Sequence, residues 1–350
     1  MASPSASRQP LYLAGAYTLL AIYGSLYPFS GWTDSGAPVA AFLTAAWPRH
    51  TTAFDIGINV AAYVPLGFIW VTALRPSLGR PLALIAAVAF GTLLSLGLET
   101  LQNFLPSRVP SNLDLACNAT GTLVGAIAGT RWGATLLDGG RLHALRHRLF
   151  HSGAMADKGL LVVWLWLLTQ FNPEILLFGN GDLRNLLDLH ALPYVARDFP
   201  RIEAVIVAAN TVAIALLVSL LAPRRAPVLA IVAAALMAKS FAFLLMMNGV
   251  GGLAWATEGS LTGVAVGLAS WLIVSGLPAR WRRTLAALAV LVAATLVNLA
   301  PVNPYLANTF QVWNPGQFLN FHGLTRVASN LWPFIALFWL ILLRGEHELD

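Results

Sequence analysis

Apolar stretches of 18 residues or more recur along this 350-residue chain, separated by short turns rich in Arg, Pro and Gly. A stretch of that length matches the ~30 Å hydrocarbon core of a bilayer. The stretches are continuous. They lack the alternation over about ten residues that marks a membrane β-strand, so helices are expected rather than a barrel. Composition agrees, with 57% hydrophobic and only 10% charged residues, against about 25% charged in soluble domains. The sequence therefore predicts an all-α polytopic transmembrane helical bundle.

Ten helices are expected, at about 11–29, 55–74, 81–105, 113–129, 159–178, 202–221, 228–247, 253–274, 284–300 and 328–343. The first stretch is too long for a signal-peptide core and has no clear cleavage site, so it reads as a retained helix. Four parts follow: a transmembrane domain at 10–130, a basic cytoplasmic segment at 131–158, a second transmembrane unit at 159–275, and two last helices at 276–350. The loop at 301–327 between those two helices carries Tyr305, Phe310, Trp313, Phe318, Phe321 and His322. These are expected at the membrane interface, where they could cap an outward site. Of the 21 Lys and Arg residues, fourteen fall on the side of the termini and six on the other, with Lys239 inside a helix. This bias places both termini in the cytoplasm.

The net charge of +6 comes from those turns and not from a basic stripe interleaved with aromatics, which excludes a nucleic-acid partner. The single cysteine, Cys117, rules out an intrachain disulfide and a Cys-based zinc cluster, and reads as a small packing residue. His143, His147 and His151 recur every fourth residue, formally a metal-binding face. The arginines between them favour an amphipathic helix on anionic lipid. No metal and no cofactor is expected. Membrane lipids are the expected surroundings, and nothing in the sequence sets an oligomeric state.

Two glycine ladders stand 138 residues apart: Gly121, Gly125, Gly129 and Gly259, Gly263, Gly267. Ladders of this kind are helix-packing seams. Pro28 pairs with Pro173, Asn59 with Asn210, and Pro81 with Pro227 at similar offsets. Helices 1–4 would then recur as helices 5–8, a parallel internal repeat in which the second copy has lost most of its polar residues.

The stretch from Ser95 to Gly129 holds the chemistry. Ser95, Glu99 and Gln102 share one helical face, and Asp114, Asn118, Gly121 and Gly125 share another. A short loop carrying Arg108 makes the two helices antiparallel neighbours, with Asp55 and Asn59 able to join from helix 2. A charge at the bilayer centre costs at least ~2.5–3.5 kcal/mol, so such groups face the bundle interior and pair. Arg108 is the expected partner of Glu99, Asp114 or both. The cluster reads either as a binding or reaction site or as an ion-pair network that fixes packing. Lys239 and Glu258 form a second expected ion pair.

Asn59, Pro65-Leu66-Gly67, then Ser95, Glu99, Gln102, Arg108, Asp114, Asn118, Gly121 and Gly125 resemble, at these spacings, the VanZ-like family of bacterial membrane proteins over about residues 17–130. The resemblance implies a multi-pass protein of the bacterial plasma membrane and cell envelope. The family's namesake is associated with resistance to the glycopeptide teicoplanin. No catalytic residues come with it. The expected function is therefore non-enzymatic, the binding or shielding of an envelope lipid or glycopeptide-type ligand at an outward-facing polar site. Two alternatives stay open: a transporter gated by Lys239 and Glu258, or an intramembrane enzyme using Glu99 and Asp114 on a lipid headgroup.

Overall fold

A computed structural model describes residues 9–27, 29–34, 36, 38–47, 53–136, 141–246, 251–301, 303–305 and 315–343. The chain divides into two compact units, residues 1–146 and 147–350. The described residues form helices and no strand. Five of the helices are long and apolar enough to cross a membrane. The protein is a membrane-embedded helical bundle.

The first unit holds α1 (Gln9–Leu26), the short α2 (Ala41–Thr44), α3 (Ala53–Gln102), α4 (Asn112–Leu136) and most of α5 (Arg141–Leu149). Helix α3 is 50 residues long but not straight. Gly79 takes φ 73°, ψ 171°, a conformation open to glycine. The Trp70 and Phe90 rings then lie 4.4 Å apart, where a straight helix would separate them by ~30 Å. Two antiparallel arms result, α3a (53–78) and α3b (80–102). The sequence argues for separate helices ended at Arg75-Pro76 and reopened at Pro81. The structure leaves helical geometry at Gly79 alone, because Pro81 falls in the first turn of α3b, where its missing N–H costs little.

Helix α4 lies in direct backbone contact with α3a. A methyl group at Gly121 would overlap the Val60 carbonyl oxygen, one at Gly125 the Val64 carbonyl, and one at Gly129 the Phe68 carbonyl and the Val71 side chain. Gly67 on α3a answers in kind against the Thr122 carbonyl. Lipid supplies no hydrophobic drive between helices, so this close approach is what holds them. Helix α1 is tied on by Tyr17, whose hydroxyl donates to the Ala62 carbonyl at 2.8 Å, and by the Trp70 indole, which donates to Thr18 Oγ1 at 3.0 Å.

The second unit holds the end of α5, then α6 (Ala154–Thr169), α7 (Arg184–Leu187), α8 (Phe199–Leu221), α9 (Ala226–Met246), α10 (Glu258–Val274), α11 (Ala279–Leu299) and α12 (Pro315–Leu342). Every residue of α8 from Ala213 to Leu221 is buried, so neighbours surround it on all sides. The ladder on α10 lies over α8. Gly259, Gly263 and Gly267 approach the carbonyls of Pro200, Ala204 and Ala208. Those carbonyls stand 140 residues beyond their counterparts Val60, Val64 and Phe68 (200 − 60, 204 − 64, 208 − 68). That register sets Phe199 against Asn59 and Glu203 against Tyr63. It does not pair Asn59 with Asn210.

Helix α6 stops at Thr169, short of the expected residue 178, because Pro173 cannot continue it. The irregular segment that follows is nonetheless buried at Gln170, Asn172, Leu177, Phe178 and Asn180. Non-helical backbone at such depth needs partners from the protein. Here Lys239 donates to the Asn172 and Ile175 carbonyls at 2.6 and 2.7 Å, and Asn298 bonds Gly181 and Leu183.

The expected loop at 301–327 is shorter than that, since α12 already begins at Pro315. Phe310 and Trp313 lie outside the described residues. Phe318, Phe321 and His322 lie on α12 with side chains outside the described set. Helix α5 ends at Leu149, so His151 does not share a helical face with His147, and the His143 side chain is outside the described set.

Gly125→Leu should destabilise the protein by ~1–3 kcal/mol through overpacking against a backbone that cannot yield. Leu123→Ala, on the exposed face of the same helix, should leave thermal unfolding in detergent nearly unchanged.

Candidate functional site

The first unit gathers polar groups at the N-terminal end of α4. Ser111 caps that helix, its Oγ accepting the Leu113 and Asp114 N–H groups at 3.2 and 3.3 Å. In a capping box the side chain three residues on returns to the cap's own N–H. Asp114 occupies that position, but its Oδ1 accepts the Asn59 amide at 2.8 Å. The Ser111 N–H is taken instead by Glu99 Oε2 from α3b, at 2.8 Å. Both carboxylates thus sit at the positive end of the α4 dipole, which favours negative charge there.

A second layer lies one turn deeper. Asn118 donates its amide to Ser95 Oγ at 2.9 Å, while its Oδ1 is buried with no partner among the described residues. The Tyr63 hydroxyl sits beside Ser95 without hydrogen-bond geometry. Glu99 is 4% exposed, Ser95 1% and Asn118 6%, whereas Asn59, Arg108 and Asp114 above them are half-buried. The cluster therefore descends from a half-buried rim to a buried floor. Asp55 stands on α3a, its side chain outside the described set. Gln102 donates to the Ser25 carbonyl at 3.0 Å and ties α1 to the site.

Arg108 is not the counter-ion it was expected to be. Its guanidinium donates to the Tyr27 carbonyl at 3.0 Å and makes no salt bridge with Glu99 or Asp114. The reason is local, because the last carbonyls of α1 have no intrahelical donors and Arg108 reaches one just past the helix end. Its Nε is buried and unpartnered among the described residues. Burial lowers its pKa, and the nearby Glu99 charge opposes that shift.

Lys239 and Glu258 do not pair either. The Lys239 ammonium is consumed by the two carbonyls of the irregular segment, and Glu258 is the first residue of α10, behind its cap Thr257. The carboxylate buried in the second unit is Glu203, which accepts the Thr257 hydroxyl at 2.8 Å and the Tyr305 hydroxyl at 3.1 Å. Gly259 leaves room for it, since a methyl there would strike Glu203 Oε2. Sequence reading missed Glu203, although an acidic residue within an apolar stretch was the available signal. It also missed Tyr63 and Ser111, the latter readable from Pro110-Ser111 ahead of a helix. Among the described residues no group of three or more His, Cys, Asp or Glu could hold a metal ion.

Residues 9–132 match the VanZ/LLP1 family model. The first unit carries a VanZ-like domain. The matched span runs from α1 into the last turns of α4 and contains Ser95, Glu99, Gln102, Arg108, Asp114 and Asn118 as well as the first glycine ladder. The second unit lies beyond it. No curated protein and no solved structure matches the chain.

Two outcomes follow for the VanZ-like domain. Glu99→Gln keeps an acceptor for the Ser111 N–H and should unfold near the wild-type temperature. Glu99→Leu orphans that buried donor and should cost ~1–3 kcal/mol. A charge-swapped Glu99→Arg/Arg108→Glu pair should not recover stability, because the two groups form no bridge to swap.

In the second unit, burial alone would raise the Asp182 carboxyl. The Arg184 guanidinium bonded to it, at 2.9 and 2.5 Å, more than offsets this, and the pKa falls below 3.8. The stability this pair contributes is then full above that pH and lost as pH falls through the lower folded value. An Asp182→Asn protein and the wild type should differ in melting temperature at pH 6, and the difference should shrink as pH falls below 3.8. The difference should be under about 1 kcal/mol, since both side chains are partly exposed.

Proposed function

We propose that this is a non-enzymatic protein of the bacterial plasma membrane, with both termini cytoplasmic, whose VanZ-like domain binds the polar part of an envelope lipid or glycopeptide-type ligand at an outward-facing site. Three buried polar atoms carry this reading: Tyr63 Oη, Asn118 Oδ1 and Arg108 Nε, each without a partner among the described residues. A packing network gains nothing from unpaired polar atoms, which cost ~1–3 kcal/mol each when left dry. A ligand whose hydroxyl, amide or phosphate groups descend past Asn59 and Asp114 would satisfy them. Glu99 lies closest to hand as the charged acceptor for such donors.

The parallel repeat belongs to the same proposal. The constant spacing of 140 between the carbonyls under the two glycine ladders supports a second copy, in which Glu203 stands where the first has Tyr63. A transporter is the second reading. The buried irregular segment after α6, held by Lys239, favours it, since broken helices inside a bundle mark substrate paths in transporters.

Tyr63→Phe separates binding from packing. Removing an unsatisfied hydroxyl should leave stability unchanged or raised. If the hydroxyl serves a ligand, function should fall. The measurement is teicoplanin susceptibility of cells expressing the full chain at equal membrane levels. Wild type should raise the inhibitory concentration, and Tyr63→Phe or Glu99→Gln should return it to the vector level. Full protection by both variants, or none by wild type, contradicts the proposal.

A further inference from the structure

Helices α11 and α12 leave a groove of about 650 Å³ between them. One wall is a stripe of α11: Arg280, Thr284, Ala287 and Leu291 at steps of four, three and four residues, with Arg283 four residues before Ala287. The other wall is Leu337, Leu340 and Ile341 of α12. The groove is thus basic at the α11 N-terminus and mainly apolar for the following ~12 Å, from Arg283 to Leu291 by the helical rise. Its volume falls in the range of ligand sites. Neither Arg280 nor Arg283 meets a carboxylate among the described residues. Among the described residues Arg283 makes a long bond to the Leu343 carbonyl, at 3.4 Å, and Arg280 lies 6.0 Å from the ring of its neighbour Trp281. Trp281 is itself 53% exposed, as befits a side chain at the headgroup level.

We propose that this groove binds one anionic phospholipid, its phosphate held by Arg280 and Arg283 and one acyl chain lying along Ala287, Leu291 and Leu337. The charge argues for the headgroup. Two guanidiniums at the end of a membrane helix present planar donor forks suited to phosphate oxygens, and no carboxylate among the described residues competes for them. The apolar floor argues for the source, because a free anion would leave it wet while a lipid fills both ends at once. Basic pockets between transmembrane helices favour anionic headgroups on the same grounds. This inference concerns the second unit and does not rest on the ligand site of the VanZ-like domain.

The test is a native mass-spectrometric titration of the full chain in neutral detergent, with dioleoyl phosphatidylglycerol and dioleoyl phosphatidylcholine as probes. One phosphatidylglycerol should remain bound under conditions that strip phosphatidylcholine. Arg280→Gln/Arg283→Gln should weaken that binding roughly 30-fold, taking each guanidinium at its typical contribution near a membrane surface. Ala287→Phe, which fills the floor and keeps both charges, should weaken it as well, so a folding defect in one variant leaves the other decisive. Equal retention of the two lipids, or unchanged phosphatidylglycerol binding in both variants, overturns the proposal. So does displacement by millimolar inorganic phosphate, which would mark a plain anion site. Binding that appears only after deletion of residues 344–350 would show the chain's own tail in the groove, and overturns it equally.

Discussion

The contact on which the first unit depends is backbone against backbone. Gly121, Gly125 and Gly129 let α4 settle onto the carbonyls of Val60, Val64 and Phe68, and in lipid such close packing, with few interhelical hydrogen bonds, is what associates helices. The contact fixes more than a distance. It sets the register of α4 along α3a, and register decides which side chains meet at the α4 N-terminus. Asn59, just ahead of Val60 in that seam, reaches back along α4 to Asp114. The break at Gly79 then returns α3b beside the same helix end, so that Glu99 reaches the Ser111 amide and Ser95 reaches Asn118.

A helix end is a natural place for the cluster. Four N–H groups there lack intrahelical partners. Ser111 and Glu99 satisfy the first of these and stabilise negative charge at the positive end of the dipole. Having satisfied the backbone, the structure still leaves a tyrosine hydroxyl, an amide oxygen and a guanidinium nitrogen buried without partners among the described residues. That residue of unmet polarity is the physical basis for treating the cluster as a site and not only as a cap. The second unit leaves Asn180 Oδ1, Arg282 Nε and Ser329 Oγ buried without a partner among the described residues, but its two buried charges are satisfied. Glu203 receives two hydroxyls, and Lys239 two carbonyls.

The helical class, the approximate helix positions and both glycine ladders were legible because each rests on a local pattern: run length, proline position, or spacing of four. The pairing of charges was not. From spacing alone Arg108 is the nearest cation to Glu99 and Asp114, and Lys239 faces Glu258 across a hairpin. In the fold, Arg108 goes to the Tyr27 carbonyl and Lys239 to carbonyls of residues 172 and 175. Charges buried in helical proteins compete for backbone carbonyls freed at helix ends, and those ends are brought in from distant parts of the chain. The polar partners in the second unit were hidden for the same reason. Glu203 takes its partners from Thr257 and from Tyr305, 102 residues away, and Lys239 takes its own from the segment after α6.

Accessibility of the site floor from outside the cell bears most directly on the central claim, that the cluster at the α4 N-terminus admits a ligand from the outer side. In a Cys117→Ser background, Ser95→Cys should react with a membrane-impermeant thiol reagent added to intact cells. It should do so faster than Ala126→Cys, which the packing of α4 seals completely. Ser95→Cys as inert as Ala126→Cys, or reactive only when the reagent is admitted to the cytoplasm, would contradict the account.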